Sequence, residues 1–152
     1  MAKRPGKRRK SFLHDHSLSI AAGGILLAWV ALYSRSDPQT HIGSFFGNAI
    51  ADWTGLVVTV LATKYLYETG SAESKPLPRT ILSPVLEWLR DHSLSLFFFF
   101  TGAGLVALFA SMDSQSKWGQ VVGNIVSEWT QILGLLLMTK RLMEKKSAED
   151  KK

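Results

Sequence analysis

Apolar residues gather into four long runs, Leu18 to Tyr33, Ile42 to Tyr67, Leu94 to Met112 and Trp118 to Met138, separated by short polar stretches. At 1.5 Å per residue, about 20 helical residues cover the roughly 30 Å hydrocarbon core of a bilayer. The last three runs reach that length, and the first does so only if residues 12–17 continue its helix. The pattern therefore predicts an all-α integral membrane protein with four transmembrane helices.

The runs come in pairs. Displacing the chain by 76 residues sets Phe12 to Lys75 against Trp88 to Lys151 without a gap, and 25 of the 64 pairs are identical. Asp15-His16-Ser17-Leu18-Ser19 recurs as Asp91-His92-Ser93-Leu94-Ser95, and Ser71-Ala72-Glu73 as Ser147-Ala148-Glu149. A fixed-period repeat of this kind is the mark of duplication. The expected organisation is a basic tail over 1–11, a two-helix repeat over 12–75, a linker over 76–87, and a second repeat with its own basic tail over 88–152. Two helices per repeat make both copies cross a membrane in the same sense, as parallel tandem hairpins about an axis along the membrane normal.

Charge adds an orientation. Of the 18 Lys and Arg residues, 16 fall in residues 1–17, 64–93 and 139–152, leaving Arg35 and Lys117 at the two opposite turns. Positively charged loops stay cytoplasmic, so both termini are expected inside a bacterial inner membrane. The net charge of +6 also suits nucleic acid, but the basic residues abut apolar runs instead of interleaving with base-stacking aromatics. Anionic lipid headgroups are the expected polyanion, and nucleic acid is not an expected partner. Lys3 to Tyr33 has the outline of a signal peptide, yet the same helix returns inside the chain as Leu94 to Met112, so a retained anchor is expected.

Composition removes most soluble chemistry. There is no cysteine, hence no disulfide, thiolate metal site or cysteine nucleophile. His14, His16, His41 and His92 form no helical zinc motif, and neither a phosphate-binding nor a dinucleotide-binding glycine loop is present. No enzymatic activity, cofactor or metal is expected. His16 and His92 open the odd-numbered spans beside Asp15 and Asp91 or Ser17 and Ser93, which are natural N-caps.

The most informative pattern is Gly43, Gly47, Asn48, Ala51, Asp52, Trp53 and Thr54, returning as Gly119, Gly123, Asn124, Ser127, Glu128, Trp129 and Thr130. The four glycines share G-x-x-x-G spacing, which predicts close helix packing. Asn48 and Asp52, like Asn124 and Glu128, are four apart and lie on one helical face. Asp52 stands about 14 Å from Gly43 and about 18 Å from Lys64 along its helix, near mid-membrane. A charge there costs at least about 2.5 kcal/mol, so it normally has a partner or a task. Two readings stand side by side. The acids are interhelical glue in a structural or accessory module, with homo-oligomers possible, or Asp52 and Glu128 with Asn48 and Asn124 form a cation or proton pathway.

Between the repeats, Ser83 and Pro84 suit the N-cap and first position of a helix. Ile81, Leu82, Val85, Leu86 and Leu89 then form an apolar stripe on the membrane surface, or the segment is a plain linker.

These residues resemble those of a family of small bacterial membrane proteins of unknown function, built as tandem two-helix repeats. The shared pattern is an acid before the first helix, an Asn-x-x-Ser-Glu motif in the second and a Gly-Ser-x-Glu-Ser-Lys tail. It is matched at Asp15, Leu18, Asn48, Asp52, Thr63 and Gly70 to Lys75, and at Asp91, Leu94, Asn124, Ser127, Glu128 and Thr139. Asp52 stands where the family has Glu, and the second tail is degraded. The resemblance implies fold and location and lends no catalytic residue.

Overall fold

The computed structural model describes residues 16–76, 82–140 and 142. The two basic tails, Asp15 and Ile81 lie outside the described residues. All regular structure among them is helical: α1 (Ser17–Arg35), α2 (His41–Tyr65), α3 (Pro84–Asp91), α4 (Ser93–Ser111) and α5 (Lys117–Met138). The four longer helices are long and apolar enough to cross a membrane.

Helix α2 packs on α1 and on α5, and α5 packs on α4, so α2 and α5 form the centre and α1 and α4 flank it. Core packing is in two patches. Tyr33, Ile50 and Val121 form one, with Trp29 and Phe46 packed against them. Ala62, Leu94, Phe98, Trp129 and Leu136 form the other. Large apolar side chains elsewhere, such as Leu27, Phe45 and Phe100, face outward. Such an exterior is out of place in water, where contiguous apolar surface stays small.

The α1–α2 and α4–α5 turns are built alike. The Asp37 carboxylate accepts the Gln39 N–H at 2.9 Å, and the Asp113 carboxylate accepts the Gln115 N–H at the same distance. Each is an Asx turn. Thr40 and Ser116 then cap α2 and α5, their hydroxyls accepting the N–H of Gly43 and Gly119 at 3.1 and 3.0 Å.

Two expectations about helix ends change. The apolar run to Tyr67 does not stay helical: α2 ends at Tyr65 and Leu66 is extended, because Tyr67 is spent on another helix. Its carbonyl accepts the Leu94 N–H at 2.9 Å, and its N–H donates to the Ser93 hydroxyl at 2.9 Å. The proposed Asp or Ser caps are also displaced. His16 and His92 take the N-cap positions of α1 and α4 and make no capping hydrogen bond. The start of α4 is satisfied instead by Tyr67 and Glu68, from the segment that follows α2.

Candidate functional site

Asp52 and Glu128 each fall twelfth in their helices, at the middle of the central pair α2 and α5. Asn48 and Asn124, one turn earlier, meet across that pair, the Asn124 amide donating to the Asn48 side-chain oxygen at 2.5 Å. Beyond them opens a groove of ≈160 Å³ lined by Asn48, Ala51, Asp52, Asn124, Ser127, Glu128 and Gln131. The four residues expected to act together thus share one place. That place lies on the outside of the bundle: Asn48, Asp52 and Ser127 are exposed, and Asn124 and Glu128 half-buried. No hydrogen bond or ion pair reaches either carboxylate from the described residues.

The two sides of the groove differ. A Cβ on Gly55 would come within 2.7 Å of Glu128 Cγ and 3.0 Å of its Oε1, so the absence of a side chain at position 55 admits the longer acid. The repeat sets Gln131 opposite Gly55 and the shorter Asp52 opposite Glu128. Long acid faces glycine, and short acid shares its groove with glutamine. Neither Gly55 nor Gln131 stands out in the sequence, since that pair is not identical between copies.

The glycines divide into two kinds. A Cβ on Gly47 would come within 3.2 Å of the Tyr33 ring and one on Gly123 within 3.0 Å of the Phe109 ring, so both glycines sit at contacts within a hairpin. Gly43 and Gly119 make room for their own turns: a Cβ there would overlap the carbonyl oxygen of Asp37 or Asp113. Within each G-x-x-x-G, one glycine serves the turn and the other the neighbouring helix.

A third acid, not singled out by the sequence pattern, is buried at the other end of the bundle. Glu68 is 2% exposed. Its carboxylate is 2.8 Å from His92 Nδ1, accepts the Ser95 N–H at 3.0 Å and pairs with Lys140. Burial alone pushes its pKa up, but the hydrogen bonds from His92, Lys140 and Ser95 outweigh that and hold it below the ordinary carboxylate value. Beside it, the buried hydroxyls of Ser71 and Thr139 are 2.9 Å apart. The segment after α2 thereby joins α4 and α5. The identity of Glu68 with Glu144 in the repeat was the available signal, and Glu144 lies outside the described residues.

His16 and His92 have different neighbours, Lys64 Nζ at 2.8 Å and Glu68, and do not form a pair. Among the described residues no cluster of three or more His, Cys, Asp or Glu is placed to hold a metal ion. No protein-family model matches the sequence, and no curated protein or solved structure matches it either.

Proposed function

We propose that this chain is a multi-pass protein of a bacterial inner membrane, both termini cytoplasmic, acting as a structural or accessory module that assembles through the α2–α5 groove. Its two hairpins cross the membrane in the same sense. One observation carries the reading: Asn48, Asp52, Ser127 and Glu128 form a polar face at the middle of two spanning helices, on the outside of an otherwise apolar bundle. Lipid is a poor neighbour for that face, because a carboxylate at mid-membrane costs at least about 2.5 kcal/mol. A second copy or a partner helix with polar groups of its own would cover it.

A second reading is favoured by the placement of both acids in one groove with two hydrogen-bonded amides. Once covered, such a groove is a polar passage with two carboxylates, which suits a cation or a proton.

Because the chain lacks cysteine, Ser127→Cys introduces a single thiol into the groove. In native membranes it should form a disulfide-linked dimer on mild oxidation, whereas Leu27→Cys on the outer face of α1 should not. Failure of Ser127→Cys to cross-link would remove self-association, and a hetero-partner would then have to be isolated in its place. The pathway reading predicts that liposomes carrying the protein move protons, sodium or potassium, and that Asp52→Asn with Glu128→Gln abolishes the flux while preserving assembly. Flux no greater than that of empty liposomes would eliminate it.

A further inference from the structure

Helix α3 is amphipathic in the reverse sense from a helix on a water-soluble protein. At about 100° per residue, Val85, Leu86, Trp88 and Leu89 share an arc of about 160°, with Glu87, Arg90 and Asp91 opposite. The apolar arc faces outward: Val85 is 69% exposed, and Leu86, Trp88 and Leu89 are exposed as well. The charged side meets the protein at its C-terminal end, through Arg90 and Asp91, while Glu87 stays exposed. Arg90 is only 16% exposed at its side chain, where it pairs with Asp91 at 2.8 Å and Glu87 at 3.5 Å. The Asp91 carbonyl accepts the Thr69 N–H at 2.8 Å, and the Arg90 carbonyl accepts from the Ser93 hydroxyl at 2.7 Å.

In water the helix would gain by rolling its apolar arc inward, since burying each such side chain is worth about 1.5–3 kcal/mol. It is instead held by its polar edge, which is favourable only if the medium outside is apolar. Position supplies that medium. Helix α3 ends at Asp91 and α4, long and apolar enough to span, starts at Ser93, so α3 stands at the level where the spanning segments leave the hydrocarbon.

We infer that α3 is a membrane-surface anchor, its Val85, Leu86, Trp88 and Leu89 arc seated at the boundary between headgroups and acyl chains. The inference rests on the membrane reading and is separable from it. Anchored in this way, α3 fixes the height and direction from which the second hairpin enters the bilayer, and tryptophan is the residue suited to that boundary.

The absence of native cysteine permits a direct test. Val85→Cys, Glu87→Cys, Leu89→Cys and, as a mid-span control, Leu27→Cys are each spin-labelled in the full chain, reconstituted in phosphatidylcholine vesicles containing phosphatidylglycerol. Collision with oxygen, which partitions into lipid, is compared with collision with a water-soluble nickel chelate. Labels at 85 and 89 should favour oxygen several-fold over the label at 87 and approach the label at 27. Labels at 85 and 89 that behave like 87 while 27 reports lipid would overturn the anchor and leave the membrane reading intact. Shielding of 85 and 89 from both reagents would mean that protein covers α3, and would overturn it too. Nickel access at 27 would overturn the membrane reading and the anchor together.

Discussion

Glu68 and the Asp52–Glu128 pair are acids of one small bundle with opposite surroundings. Glu68 is buried at the tail end and meets His92, Lys140 and the amide of Ser95. Asp52 and Glu128 lie at the middle of their helices, the first exposed and the second half-buried, with no partner among the described residues. A buried carboxylate with a full set of donors has its bonding capacity used within the fold, and what it contributes is structure. A carboxylate left without donors has its capacity unspent, and on the reading proposed above its use lies outside the single chain.

The largest effect should come from the satisfied acid. Glu68→Ala leaves Lys140 and His92 without their anion and the Ser95 N–H without its acceptor, and breaking a buried pair in this way costs about 3–5 kcal/mol. Unfolding in detergent, followed by circular dichroism, should show that loss. Glu68→Gln keeps an acceptor and should lose less, about 1–3 kcal/mol. Equal stability of wild type and Glu68→Ala would dissolve the contrast between the two acidic sites.

Next in size are the glycines under aromatic rings. Gly47→Leu and Gly123→Leu must displace Tyr33 and Phe109, at a cost of about 1–3 kcal/mol for overpacking. Gly24→Leu, where no atom approaches within 4 Å, should be neutral or gain up to about 1 kcal/mol from helix propensity. If all three behave alike, the ring-on-glycine contacts do not hold the hairpins together.

A smaller effect separates the acids by pH. Because the folded-state pKa of Glu68 is lowered, its contribution is fully present above the unfolded carboxylate value of about 4.3 and is lost as pH falls through the folded value. Acid titration of stability should therefore show a drop below about pH 4.3 that Glu68→Gln largely removes. The smallest effect is expected at the open site. Asp52→Asn with Glu128→Gln keeps the size of both side chains and breaks no hydrogen bond, so it should change single-chain stability by no more than about 0.5 kcal/mol. A large loss on that double substitution would show that the open acids are structural after all.

Much of this was legible in the sequence, for identifiable reasons. Four helices follow from four apolar runs, and the co-location of Asn48, Asp52, Asn124 and Glu128 follows from helical spacing within a repeat. Both are local properties, set down twice by the 76-residue recurrence in the sequence. What escaped was long-range. Tyr67 reads as the end of an apolar helix, and only the position of α4 shows why the backbone departs at Leu66 to supply acceptors to Leu94 and Ser95. Gly43 and Gly47 look equivalent in G-x-x-x-G, yet the Asp37 carbonyl claims one and the Tyr33 ring the other. Whether the acids faced inward or outward depended on how α1 and α4 flank the central pair, which spacing along one helix does not encode.

The reach of residues 67–71 onto the start of α4 and the residues that close α5 also bears on cooperativity. Both ends of the second helix pair close on one short stretch of chain that belongs to the first, so the two pairs are expected to unfold as one unit and not as two independent hairpins.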